Sequence, residues 1–383
     1  MSITSPLTAL HPPVIGDAGA AAAVEGSPAM LAIPQPDIAI DAGLYGPLVV
    51  RAASVRGAGH RYDGTPRQDD FCLAAGGRDN EWFVIAVGDG VSAGPSSHVA
   101  SRAAVRFGSK LVADRLDQAG PEQIDWDDVI GSTAGFVLAQ ARNETGNRRL
   151  EARDAARVMA TTIVFAIVPV YPDRTGVRRC TVVPIGDTSG WILRKGGQWE
   201  PVTEVKNQGN AVAVSATAAL PLLPSGPVVP LAADLQAGDA LFVLTDGVGD
   251  PLGAGTGEVG KVLAAAWSRP PDRYQFAAQV DFRRRSHTDD RTVVAVWPDQ
   301  QPDDGSAPSP APAAATALTT APVVADILSS PVTEFQTPAM TTPSLEAPVV
   351  SEPPTSEPPT SEPPSTEEPW QPTPWQPTPW EPT

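Results

Sequence analysis

A chain of 383 residues is long enough for one large domain or two ordinary ones, and its charge is unevenly spread. The net charge is −17, yet 28 of the 44 acidic residues and all 27 Lys and Arg fall between residues 51 and 298, so the middle is nearly neutral and the excess lies in the flanks. That balance lacks the basic excess a phosphate backbone requires, which excludes nucleic acid as a general partner, and no apolar run reaches the ~20 residues of a membrane span.

In chain order, residues 1–47 read as a low-complexity flank. They carry no Lys or Arg, so the Ala-rich "DAGAAAAVEG" lacks the charged start of an export signal, and a cytoplasmic protein is expected. Residues 48–298 form the expected folded domain. Strands are predicted at 48–55, 71–75, 82–87, 162–168, 179–185, 191–194, 240–244 and 292–297, each rich in β-branched or aromatic residues and bounded by turn signals. Helices are predicted at 96–118, where Val99, Ala103, Phe107, Leu111 and Leu116 recur at near-helical spacing behind Ser96 or Ser97, and at 125–144, 149–159, 257–267 and 272–284. Clustered strands and clustered helices point to α+β layers rather than strict βαβ alternation.

Residues 299–383 are a third region, holding 21 of the 43 prolines among Ser, Thr, Ala and Glu. Such a composition buries too little apolar surface to offset the entropy of ordering, so a disordered tail is expected. It contains the acidic repeat "SEPPTSEPPTSEPPSTEEP" and then "PWQPTPWQPTPWEPT", with Trp370, Trp375 and Trp380 at five-residue intervals. Regularly spaced tryptophans on a stiff Pro-rich track suggest a docking peptide, whereas a repeat without a ligand has the same composition. Cys72 and Cys180 lie in strand contexts and read as small buried hydrophobes in a reducing compartment.

One pattern recurs through the middle: an apolar run that stops abruptly at an aspartate. "WFVIAVGDG" ends at Asp89, "TVVPIGDTSG" at Asp187 and "ALFVLTDGVGD" at Asp246, while Asp70 in "RQDD" and Asp289 in "TDDRT" open strands. A single such acid is ordinarily a cap. Several acids held at strand ends without matching cations repel one another, and a hard divalent ion resolves that repulsion. Oxygen donors favour Mg²⁺ or Mn²⁺ over a softer metal.

In order and spacing, "RQDD", "DGVSAGPSSHVAS", "ATT", "GDT", "TDG" and "DDRT" resemble the motifs of the PP2C-like (PPM-type) metal-dependent serine/threonine protein phosphatases of bacteria. The resemblance spans about residues 48–298. It implies a β-sandwich of two antiparallel sheets flanked by helices and a site for two Mn²⁺ or Mg²⁺ ions, with hydrolysis of phosphoserine and phosphothreonine by a metal-bridging hydroxide. Carried over by position, Asp89 bridges both ions, the Gly90 carbonyl binds one, Asp246 and Asp289 hold the other, Asp70 supports the site through water, and Asp187 has a supporting role.

Departures from the motifs are visible. The arginine expected five residues before Asp70 is Thr65, leaving Arg67 to capture phosphate; Val91, Ser92 and Ala93 dilute the glycine turn; and His98 replaces a glutamate, where it could act as a general acid. The implied partners are phosphorylated proteins and, through the tail, a Ser/Thr kinase or associated signalling proteins that the enzyme opposes, with the protein itself a monomer. The second functional class is an inactive phosphatase-like adaptor working through its tail.

Overall fold

The structure, a computed structural model, describes residues 11–19, 26–31, 35–204 and 218–300. The chain divides into two units, residues 1–313 and 314–383, and every described residue belongs to the first. The Pro-rich tail and its Trp-Pro repeats therefore lie outside the described residues.

Eleven strands among the described residues form two antiparallel sheets. The first has the order β1-β2-β11-β10-β7-β8 and the second β3-β4-β5-β6-β9. In the first are β1 (Ile38–Tyr45), β2 (Leu48–Val55), β7 (Ser189–Leu193), β8 (Trp199–Pro201), β10 (Ala240–Leu244) and β11 (Arg291–Pro298). In the second are β3 (Asp70–Gly76), β4 (Trp82–Gly90), β5 (Thr161–Pro169), β6 (Arg178–Ile185) and β9 (Leu231–Leu235). The helices are α1 (Ala58–Asp63), α2 (Ser97–Leu116), α3 (Trp126–Thr145), α4 (Ala152–Ala155), α5 (Asp246–Leu252), α6 (Glu258–Trp267) and α7 (Arg273–Val280).

Three apolar layers hold the sandwich together. Between the sheets lie Leu48, Val50, Ala52, Val87, Val164, Leu241 and Val294; α2 and α3 cover the outer face of the second sheet through Val105, Val112, Val129 and Phe165; and α5 to α7 cover the first through Phe242, Trp267 and Phe276. Central strands are thus buried on both faces, which is why β5 and β11 contain the continuous apolar runs Ile163–Val168 and Val293–Trp297, while β2 is buried along its length but carries Arg51 and Ser54. Two of the indoles in the layer under α5 to α7 are hydrogen-bonded: Trp297 donates to the Trp267 carbonyl at 2.9 Å and Trp267 to Gln279 Oε1 at 2.9 Å.

The eight predicted strands and the helices α2, α3, α6 and α7 are present within a few residues of their expected ends. Three differences matter. The folded sheet begins before residue 48, because β1 pairs with β2 along its whole length from Ile38↔Val55 to Tyr45↔Leu48. The predicted helix at 149–159 shrinks to the four residues of α4, followed by turns. Two helices, α1 and α5, were not anticipated, and both border the site described next.

Candidate active site

The acids that end or open strands are gathered at one end of the sandwich. From the second sheet come Asp69, just before β3, and Asp89, the penultimate residue of β4; from the first come Asp246, two residues past β10, and the pair Asp289–Asp290 ahead of β11. Asp187 lies in the turn that crosses from β6 to β7 and so from one sheet to the other. Oxygen atoms of Asp89, Asp187 and Asp246 lie within 4.8 Å of one another. A second group, His60, Asp289 and Asp290, meets the same criterion.

Local backbone makes this crowding possible. Asp89 stands directly opposite Thr162 in the β4–β5 ladder, and Thr161 Oγ1 donates to the Asp89 carbonyl at 2.8 Å. Gly186, immediately before Asp187, has φ +95°, and a Cβ there would collide with the Thr162 side chain, so only glycine allows the crossing turn to close over β5. Gly247 is equally constrained, since a Cβ would overlap the Asp290 carbonyl oxygen.

Which aspartate of "RQDD" faces the cluster is decided by strand alternation. Asp70 pairs with Gly88, whose face is packed by Ser101 and Val105 of α2, and its carboxylate lies 3.7 Å from Arg102 Nε and 3.9 Å from Arg67 Nη1. Asp69, one residue earlier, points the other way. It is 2 % exposed, and its Oδ2 accepts hydrogen bonds from Thr245 Oγ1 at 2.8 Å and Thr292 Oγ1 at 2.9 Å. Burial first, and then the charges of Asp290 and Asp289, push its carboxyl well above the usual range despite those two donors. Asp69 is therefore a member of the acid cluster that the motif comparison passed over in favour of Asp70.

Asp89 is driven in the same direction, by burial and then by Asp69, Asp246, Asp289 and Asp187. Asp289 is likewise raised by burial and by Asp290. Asp187, expected in a supporting role, stands in the triad with Asp89 and adds to the charge acting on it. Asp246 groups with Asp89 and Asp187, whereas Asp289 groups with His60 and Asp290.

His60 lies on α1, a helix without a sequence signature. Its Nδ1 is 2.9 Å from Asp290 Oδ1, close but out of line for a hydrogen bond, and its Nε2 is 4.0 Å from Asp289. Burial opposes its protonation, but the two acids outweigh burial and raise its pKa. Asp290 in turn accepts from the backbone N–H groups of Gly57 and Gln68, tying the segment that carries His60 and Asp69 to the start of β11.

The remaining predicted site residues are placed as follows. Arg67 is 3 % exposed; its guanidinium donates to Ser54 Oγ and the Asp69 carbonyl, and its Nε to the Pro36 carbonyl at 3.3 Å. The side chain is thus turned inward, bracing the loop ahead of β3. His98 lies in the first turn of α2, where burial, then Arg102, lower its pKa against the pull of Glu144, so its charged neighbours are on α2 and α3 rather than in the acid cluster. Gly90 closes β4 at a point where a Cβ would press on Gln68 and on the Ser97 carbonyl.

The donor set fits a hard divalent ion. It is oxygen-rich, its carboxyls resist ionising together, and two buried hydroxyls beside it, Thr162 Oγ1 and Thr188 Oγ1, are 3 % and 1 % exposed at the residue level with no hydrogen-bond partner among the described residues.

No curated protein matches this chain. Among solved structures, it is similar to RsbX in complex with magnesium, at 13 % identity over 67 % of this chain and 98 % of that one with a TM-score of 0.40. It is similar too to the catalytic domain of the serine/threonine protein phosphatase PstP with two manganese ions, at 18 % identity over 65 % and 97 % with a TM-score of 0.39. A third is the PP2C phosphatase domain with a regulatory fragment of SpoIIE from Bacillus subtilis, at 15 % identity over 69 % and 70 % with a TM-score of 0.39. The family model for protein phosphatase 2C matches residues 56–280, the stretch that holds α1, the acid cluster up to Asp246 and both sheets' central strands except β2 and β11. On that match the chain belongs to the protein phosphatase 2C family, and it is a phosphoprotein phosphatase, a hydrolase.

Proposed function

We propose that this protein is a metal-dependent serine/threonine phosphatase that opposes a kinase in a signalling system, with its chemistry confined to the acid cluster. The observation that carries the reading is the convergence of Asp69, Asp89, Asp187, Asp246, Asp289 and Asp290 from both sheets, with Asp69, Asp89 and Asp289 held above the normal carboxylate range. Asp89, Asp187 and Asp246, with the Gly90 carbonyl, would hold one Mn²⁺ or Mg²⁺; Asp289, aided by Asp69, would hold a second. Two such ions, when bound, supply an activated water and neutralise the phosphoryl oxygens.

The chain's own residues do the rest. Asp69 is fixed by two threonine hydroxyls, so its free oxygen has one direction in which to point. Asp290 clamps two backbone N–H groups and thereby holds His60 and Asp289 in mutual reach. The charges of Asp290 and Asp289 favour the protonated form of His60 and so keep it paired with both acids. Arg67 stiffens the loop from inside. Asp70 neutralises Arg102 and Arg67 on the opposite face of β3.

The Trp-Pro repeats are proposed to tether the enzyme to a kinase or shared substrate, raising local concentration without altering the site. No helix among the described residues is long and apolar enough to cross a membrane. The test of the central reading is Mn²⁺-dependent phosphate release from a phosphothreonine peptide by the full chain. Release should be abolished by Asp89→Asn with the fold retained by circular dichroism. Unchanged turnover in that variant would overturn the assignment.

A further inference from the structure

The face of α2 that runs along β3 carries a feature the cluster chemistry does not use. His98, Arg102, Arg106 and Lys110 recur at i, i+4 and so form one stripe about 18 Å long on the helix. The stripe lies along β3 in matched order. Arg102 faces Asp70 at 3.7 Å, Arg106 and Ser109 act on Cys72, and Leu116 closes on Gly76. Its catalytic end is fixed by Asp69, which immediately precedes β3 and points into the acid cluster.

The charges of the stripe are only partly answered. Lys110 pairs with Asp114 at 2.7 Å, and Asp70 is shared between Arg67 and Arg102 at the longer distances of 3.9 and 3.7 Å. Arg106 is exposed and makes no ion pair with any described residue. Beside it β3 is an edge strand, paired among the described residues only with β4, and Phe71 to Ala74 are half-buried. An unpaired edge offers backbone donors and acceptors to an added extended segment, and a cationic stripe alongside selects its charge.

We infer that the β3 edge and the Arg102–Arg106–Lys110 stripe form a docking track for an extended acidic segment of the phosphoprotein substrate, leading from the phosphorylated residue at the acid cluster outward along β3. This rests on the phosphatase reading and adds a substrate preference to it. With a strand rise of about 3.3 Å and Arg106 beside the third residue after Asp69, the acidic side chains recognised lie about two to five residues from the phosphorylated one, on one side of it.

The experiment compares three phosphothreonine peptides with the full-length protein: one with Glu at positions two to five on the amino side, one with Glu on the carboxyl side, and one neutral. Fluorescence anisotropy of labelled peptides carrying a non-hydrolysable phosphonate in place of the phosphate reads docking independently of turnover, and kcat/KM on the hydrolysable forms reads its use. One acidic peptide should bind about tenfold more tightly than the neutral one at low salt, an advantage that shrinks as ionic strength rises, and should gain in KM rather than kcat. Arg106→Glu should erase or reverse that preference while leaving p-nitrophenyl phosphate hydrolysis within about twofold; Arg106→Gln should give an intermediate loss. Equal binding of all three peptides, or a preference unmoved by Arg106→Glu, would reduce the stripe to a solvated helix face and overturn the proposal. Retained acidic-peptide binding in a protein that hydrolyses neither peptide nor p-nitrophenyl phosphate would support the track and overturn the phosphatase reading alone.

Discussion

Asp69 and Asp70 are chemically identical neighbours with opposite surroundings, and the contrast yields a sharp expectation. Asp69→Asn should cut phosphopeptide turnover by about 100-fold, the order seen when a group that orients or supports a metal site is lost, whereas Asp70→Asn should act mainly by freeing Arg102 and Arg67 and cost far less. Comparable losses in steady-state kinetics would show that both carboxylates serve the same ions. The cluster also sets the pH response of the metal-free protein. Asp69 and Asp89 have pKa values raised in the folded state, so above about pH 4 the folded protein holds protons the unfolded chain has released, and its stability falls as pH rises through the raised values. In EDTA, lowering the pH from 7.5 to 5.5 should therefore raise the melting temperature of the wild type relative to Asp89→Asn. At pH 7.5 that variant should melt a few °C higher than the wild type without metal, since about 1 kcal/mol moves a domain of this size by 2–4 °C. Mn²⁺ should reverse the order. Cys180, buried and pushed up to about 12, stays a thiol at neutral pH, so brief alkylation should leave it unmodified in the folded protein by mass spectrometry.

At the scale of elements, β1 and the crossing turn at Gly186 carry the most consequence. β1 contributes an eight-residue antiparallel ladder to β2, and Tyr45 packs on Phe83 of the other sheet at 5.2 Å between ring centroids. A chain beginning at residue 47 should therefore melt well below the full-length protein, by 5 °C or more as an order of magnitude, because the loss includes a ladder and an inter-sheet contact. Equal melting temperatures by calorimetry would make β1 an ornament of the sheet. Gly186→Ala places a methyl group against Thr162 in a left-handed conformation, so it should disturb Asp187 and the β5 end together and lower activity more than it lowers stability. Beyond these, α1 and α5 were invisible to periodicity because each is too short, at six and seven residues, to show an apolar face.

At the scale of the molecule, the sandwich brings six separated segments to one end, and the Pro-rich tail beyond residue 300 lies outside the described residues. If the repeats at 366–383 are a tether, deleting them should leave hydrolysis of a free phosphopeptide unchanged and slow dephosphorylation of the physiological protein substrate. Replacing Trp370, Trp375 and Trp380 with Ala should reproduce that loss. A pull-down in which intact and truncated proteins recover the same partners to the same extent would remove the tether from the account.

Much of the architecture was legible in one dimension, for a physical reason. Strands such as β5 and β10 are buried on both faces, so their sequences carry continuous apolar runs interrupted at their ends by turn residues. The same interruptions marked Asp89, Asp187, Asp246 and Asp289 as strand-end acids, and the order of the motifs pointed to their family. Sequence could not say which of two adjacent aspartates faces the cluster, because alternation turns successive side chains to opposite faces and only the register with β4 settles which is which. Nor could it show that His60 stands against Asp290, which is 230 positions away, or that Arg67 is turned inward, because both depend on where the loop before β3 packs. Local patterning encoded the elements and the chemistry they could offer; the pairing of the sheets alone decided which side chains meet.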